Sequence, residues 1–193
     1  MGYLEAQGLL HINFTQNIDS LELKAKVSNE KMIFAHGNLN EAHCASCDAG
    51  VDLNLQKEYI SKNEVLYCDL CKGPCKPKVV LYGENLPQQF YDNIDKLKEC
   101  DVAFIMGTSL RVYPFSLLPN ELNPNAHRVL VNMEKVGSDL TGAKPNIFNF
   151  DNLSSNDIFL EGKTDEIILK FLQDIGQEDE FDKFIKESMI KEI

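Results

Sequence analysis

Two short cysteine pairs constrain this chain more than anything else in it. Cys44-Ala45-Ser46-Cys47 is followed, twenty residues on, by Cys68-Asp69-Leu70-Cys71. Cysteines at i and i+3 curl round one metal ion, and two such knuckles supply the four thiolates of a tetrahedral zinc site. Two disulfides, or four ordinary buried thiols, are the competing readings, and the double spacing favours zinc. Cys75 stands four residues beyond Cys71, so a quartet using it is conceivable, while Cys100 falls in an expected helix. The chosen ligands are Cys44, Cys47, Cys68 and Cys71. Four closed ligands leave no position for a catalytic water, so the expected zinc is structural.

The flanks read as one fold interrupted by this module. Short apolar runs at 9–14, 32–35, 79–82, 102–106, 129–131 and 158–160 suit buried strands, and each ends in small or polar residues. Helical spacing lies between them at 19–27, 87–100 and 164–175, and again at 179–190, where Phe181, Phe184, Ile185 and Met189 form a stripe. Alternating strands and helices predict an α/β chain, a Rossmann-like, mostly parallel sheet carrying a small inserted zinc module. The expected segments are 1–38 (first Rossmann-like part), 39–78 (zinc module), 79–176 (second Rossmann-like part) and 177–193 (acidic C-terminal helix or tail). In such sheets ligands bind at strand ends, which draws attention to Thr15-Gln16-Asn17, His36 and Gly107-Thr108-Ser109.

Charge narrows the function classes. The net charge is −11, with −7 of it from Asp151 onward. A broad basic footprint for phosphate backbones is absent, so direct nucleic-acid binding is not expected. No apolar run approaches the eighteen or so residues of a membrane span, and no membrane partner is expected. Paired cysteines held by metal suit a reducing compartment, so the expected location is intracellular, nuclear or cytoplasmic.

Six motifs then occur in one order: Thr15-Gln16-Asn17-Ile18-Asp19, His36-Gly37, the two Cys-x-x-Cys pairs, Tyr82-Gly83-Glu84-Asn85-Leu86-Pro87, Gly107-Thr108-Ser109-Leu110 and Asn132-Met133-Glu134. In this order and register the chain resembles the sirtuins, NAD-dependent protein-lysine deacylases, from about Leu9 to Leu172. The resemblance implies a transfer of the acyl group to ADP-ribose with release of nicotinamide. It makes His36 the general base, a task that suits an imidazole because its ordinary pKa is near 6.5. It makes Gln16, Asn17, Ile18 and Asp19 contacts to the nicotinamide end of NAD, and Gly107, Thr108 and Ser109 the cofactor turn. Asn132 and Glu134 correspond to adenosine-ribose contacts, and Thr164 stands where the family commonly has a cysteine beside the adenine. Val80, Leu81, Tyr82, Gly83 and Glu84 resemble the edge that captures an acyl-lysine protein or peptide, histones among the candidates, by main-chain pairing.

The resemblance starts after the family's first strand and Gly-Ala-Gly-type turn, and the eleven glycines of this chain include no Gly-x-Gly. The expectation is therefore an incomplete sheet and an activity impaired by the missing cofactor segment. The alternative is a catalytically inactive sirtuin remnant acting as a zinc-stabilised protein-interaction module.

Overall fold

The computed structural model describes residues 1–137, 147–152 and 154–190. It divides into two compact units, Met1–Asn93 and Ile94–Ile193.

In the first unit a short helix α1 (Gly2–Ala6) leads to β1 (Asn13–Thr15), a single helical turn α2 (Leu21–Lys24) and β2 (Met32–Phe34). β1 and β2 pair in parallel, with Phe14 opposite Ile33. Parallel neighbours need a crossover rather than a hairpin, and residues 16–31 provide it. Behind the pair, Phe90 of helix α4 (Gln88–Asp92) is buried and meets Phe14 edge to face at 5.8 Å. The excursion that leaves after His36 is antiparallel instead: β3 (Gly37–Cys44) lies between β4 (Gly50–Val51) and β5 (Cys75–Val79), with helix α3 (Leu53–Ser61) in the connection. Asp52 caps α3, its Oδ1 accepting from the Leu55 N–H at 2.8 Å.

In the second unit β6 (Val102–Met106), β7 (His127–Asn132) and β8 (Asp157–Glu161) form an all-parallel sheet in that spatial order. Leu130 and Val131 of its central strand are wholly buried, and Leu110, Val136 and Phe148 complete that core. Helices α5 (Thr164–Asp174) and α6 (Glu178–Ile190) follow, and Phe171 of α5 packs edge to face on Phe104 of β6 at 5.7 Å. At the start of the sheet Arg128 forms a forked ion pair with Asp157, Nε to Oδ1 at 2.6 Å and Nη2 to Oδ2 at 2.7 Å, and lies 5.2 Å over the Phe148 ring. No helix among the described residues is long and apolar enough to cross a membrane.

The α/β architecture with parallel sheets and a separate cysteine module agrees with the sequence reading, and four details differ. The first strand is Asn13–Thr15 rather than the run at 9–14, whose Leu9 is exposed and so has no layer to pack on. The run at 79–82 is not a strand of a parallel sheet: the strand there is Cys75–Val79, paired antiparallel with β3. Residues 19–27 make only one helical turn, because Ser20 and Lys26 both adopt left-handed backbone that stops a helix on either side. The stretch 87–100 splits into α4 and a 3₁₀ segment, Ile94–Glu99, at Asn93.

Candidate functional site

The cysteine module is built from two knuckles of the same construction. In each, the backbone turns back on itself, Asp48 N–H to the Cys44 carbonyl at 3.0 Å and Lys72 N–H to the Cys68 carbonyl at 2.9 Å. In each, the residue after the second cysteine is left-handed, Asp48 at φ 58° and Lys72 at φ 61°. Backbone N–H groups then point at sulfur, Ser46 to Cys44 Sγ and Gly73 to Cys71 Sγ, both at 3.4 Å. The sulfurs of Cys44, Cys47, Cys68 and Cys71 all lie within 4.8 Å of one another. Cys44 to Cys71 is 3.4 Å and Cys47 to Cys68 is 3.8 Å. Thiolates about 2.3 Å from a tetrahedral zinc would be about 3.8 Å apart, so the four sulfurs fit that ion.

Their acid–base chemistry fits a cation too. The Cys47 N–H favours the Cys44 thiolate against burial and, with Ser46 and the neighbouring thiols, brings Cys44 down to about 6. At Cys47 the Ala49 N–H also favours the thiolate, but the sulfurs of Cys71 and Cys44 outweigh it and push this group up to about 12. Cys44 and Cys47 are thus pushed in opposite directions by the sulfurs and amides around them, the behaviour of thiols crowded closely enough to share one divalent cation. Cys75 lies outside the quartet, buried beside Cys44, Leu66 and Cys68.

His36 follows β2 directly. Its Nδ1 lies 3.1 Å from the Gln16 carbonyl oxygen. A carbonyl only accepts, so Nδ1 carries the hydrogen and Nε2 keeps the lone pair. In the neutral ring Nε2 is therefore the accepting nitrogen. The backbone beside it is equally constrained: the His36 carbonyl accepts from Val80 N–H at 2.9 Å, and Gly37 sits at φ +70° where a Cβ would come within 2.0 Å of the Lys78 carbonyl oxygen. Gly37→Ala should therefore cost about 2 kcal/mol or more, since it adds a backbone clash to a left-handed conformation. A thermal melt of that variant matching the parent would contradict this crossing of β3 and β5.

The other residues near His36 are partly committed to the fold. The Asn17 N–H bonds Thr15 Oγ1 at 3.1 Å, the Ile18 carbonyl accepts from Leu39 N–H at 3.0 Å, and Asp19 Oδ1 accepts from Leu21 N–H at 3.2 Å. Asp19 thus supports the α2 turn with one carboxylate oxygen. Val80 to Glu84 form a clipped turn rather than a strand edge: Glu84 N–H bonds the Leu81 carbonyl at 3.0 Å, Glu84 Oε2 accepts from Leu81 N–H at 2.8 Å, and Gly83 is left-handed at φ +90°. Leu81 and Tyr82 project into solvent from that turn.

In the second unit an open groove is lined by Gly107, Thr108, Ser109, Asn132, Met133 and Glu134, at the C-terminal ends of β6 and β7. Gly107 has φ +58°, and the Thr164 hydroxyl lies 4.0 Å from where its Cβ would be. Thr164 opens α5. The structure therefore brings Gly107, Thr108, Ser109, Asn132, Glu134 and Thr164 to one end of one sheet. Asn132 spends its amide N–H groups inside the fold, donating to the Thr108 carbonyl at 3.3 Å and the Glu134 carbonyl at 3.0 Å. Only its side-chain oxygen remains for a ligand. Sequence reasoning missed Lys76, which bonds both oxygens of Glu84, at 2.8 and 2.6 Å. The eight-residue separation carries no periodic signal, so only the folded loop shows it.

Comparison with known proteins agrees with this geometry. The family model described as the Sir2 family matches residues 1–114. The NAD-dependent deacetylase sir2A of Dictyostelium discoideum is 37% identical over 188 residues, 95% of this chain and 36% of that protein. The NAD-dependent protein deacetylase hst2 of Schizosaccharomyces pombe is 35% identical over 187 residues, 96% of this chain and 53% of that protein. A solved structure described as Sir2 with a p53 peptide and NAD+ superposes with a TM-score of 0.73 at 26% identity, over 91% of this chain and 67% of the other. The chain thus spans about a third to a half of the length of these two relatives. With its ordered motifs, its four-sulfur module and a family match over more than half its length, the chain belongs to the Sir2 family.

Proposed function

We propose that this chain performs the proton transfer and the acyl-lysine capture of an NAD-dependent protein-lysine deacylase. The observation that carries the reading is the His36 Nδ1 hydrogen bond to the Gln16 carbonyl, which leaves Nε2 as the base. When bound, NAD supplies the ribose carbon that receives the acyl oxygen as nicotinamide leaves. His36 Nε2 then accepts a proton from a ribose hydroxyl. Gln16, Asn17, Ile18 and Asp19 orient the nicotinamide end. Gly107 permits close backbone approach, the Thr108, Ser109 and Thr164 hydroxyls donate to phosphate or ribose oxygens, and Glu134 and the Asn132 oxygen receive ribose hydroxyls. The turn Val80–Glu84 receives the acyl-lysine peptide through the main-chain groups that its own clip does not use, those of Tyr82 and Gly83. Cys44, Cys47, Cys68 and Cys71 hold a structural zinc. Clustered thiols of this kind support a reducing compartment, the nucleus or cytoplasm, as the location that goes with this reading.

A second reading is a catalytically inactive interaction module stabilised by the four sulfurs of Cys44, Cys47, Cys68 and Cys71. Nicotinamide release from NAD by the 193-residue chain, with and without an acetyl-lysine peptide, separates the two. The proposed function expects slow release that depends on the peptide and falls about 10²- to 10⁴-fold in His36→Ala with metal content unchanged. Release that ignores both peptide and His36, or no release at all, favours the inactive module.

A further inference from the structure

The turn that carries Leu81 and Tyr82 is held by an ion pair that no sequence motif announces. Lys76 sits on β5 with its side chain 18% exposed, and its ammonium spends all three hydrogens within eight residues: on the Val79 carbonyl at 2.8 Å, on Glu84 Oε1 at 2.8 Å and on Glu84 Oε2 at 2.6 Å. Glu84 Oε2 also accepts from Leu81 N–H at 2.8 Å. The carboxylate is thus committed to the loop itself, with one lysine and one backbone amide on it. An isolated surface ion pair contributes little. Here the Lys76 side chain is largely covered although Glu84 is exposed, and the ammonium has three acceptors and closes a ring through main chain, an arrangement that fixes a conformation more than it adds stability. The loop it fixes begins at Val80, whose N–H is bonded to the carbonyl of His36. Across the ladder, Lys76 pairs in register with His43, whose Nδ1 lies 2.6 Å from Asp48 of the first knuckle.

We propose that Lys76 is a positioning residue for peptide capture: with Glu84 it holds residues 80–84 in the conformation that receives the acyl-lysine main chain, and Glu84 acts through this clamp rather than on the peptide. The inference rests on the capture role proposed above for the same turn. A peptide that pairs with backbone needs that backbone already shaped, because ordering it on binding costs affinity. Losing the clamp therefore weakens binding without removing any group that touches the peptide.

Anisotropy of a fluorescent acetyl-lysine peptide, against its unacetylated twin, tests this on the 193-residue chain and needs no turnover. Lys76→Met should raise Kd about tenfold, Lys76→Arg should restore most of the loss, and Glu84→Gln should weaken binding similarly. The double variant Lys76→Met/Glu84→Gln should be no weaker than either single one, since both break one clamp. Metal content and circular dichroism of all four should match the parent. Unchanged affinity in Lys76→Met, or effects that simply add in the double variant, would overturn the clamp while leaving capture by this turn intact. A parent chain that does not prefer the acetylated peptide would overturn the capture role itself, and the clamp's purpose with it.

Discussion

Chelation of the metal should unfold the segment from Gly37 to Val79 as a unit. Its own apolar core is Cys44, Leu66, Cys68 and Cys75, with Ala49, Val51 and Tyr59 half-buried round it. A core of that size does not hold a fold of some forty residues without a staple. A zinc on the four thiolates would be that staple, since structural zinc contributes about 10 to 16 kcal/mol in small zinc modules at neutral pH. The purified chain should carry one zinc. A strong chelator, or Cys68→Ser, should abolish the cooperative melt of this segment and open residues 45–72 to proteases. Because thiolates are the ligands, acid should mimic the chelator, protons competing with zinc for sulfur as pH falls. A chain that contains no zinc, or that melts identically in chelator, would remove the metal from the fold.

The second large effect belongs to the other unit. Asp157→Ala should lower stability by about 3 to 5 kcal/mol, because it leaves the Arg128 guanidinium half-buried without its counter-ion. Asp157 is the better buried partner, its side chain 2% exposed, and it accepts from the Asn149 N–H at 2.7 Å as well as from both arms of the guanidinium. Phe148, on which the guanidinium lies, belongs to the core beneath β7, so the loss extends into packing. For a chain of this length such a loss lowers the melting temperature by about 6 to 20 °C. The pH dependence follows from the same contacts. Burial pushes the Asp157 carboxyl up, but the Arg128 hydrogen bonds, the Asn149 N–H and the Arg128 charge together hold it below the ordinary carboxylate range. A carboxyl depressed in the folded state contributes fully above its unfolded value, near 3.9, and its contribution is lost as pH falls through the lower folded value. The difference in stability between parent and Asp157→Ala should therefore be constant at neutral pH and shrink below about pH 4. A melt unchanged at pH 7 would show that the ion pair is dispensable.

The elements that can be read from sequence are those whose neighbours are all apolar or whose period is long. β6 spans Val102–Met106, and α5 and α6 begin and end within a residue or so of their amphipathic patterns. Buried parallel strands and helices with one apolar face announce themselves. β3 does not. Gly-Asn-Leu-Asn-Glu-Ala-His-Cys shows no alternation, because this strand is held by its ladder and by the sulfur cluster instead of by a hydrophobic layer. The α3 helix, which Asp52 caps, was not read because its apolar face is weak. At the candidate site the hydrogen-bond commitments of the residues could not be read. That Asn132 spends its amide on two carbonyls, that Asp19 gives one oxygen to a turn, and that Glu84 belongs to Lys76 are facts of long-range register and loop closure.

One hydrogen bond, from Val80 N–H to the His36 carbonyl, marks both the place where the metal-bearing excursion leaves the β1–β2 crossover unit and the place where it returns. An insertion whose two ends already touch adds almost nothing to the closure entropy of its host, and each doubling of a flexible loop's length costs only about 0.6 kcal/mol. The stretch from Gly37 to Val79 is accordingly a cassette. Its length, its helix and its surface can drift between lineages, or be exchanged by an engineer for a different recognition surface, so long as the replacement brings its own four sulfurs and hands the chain back beside the imidazole.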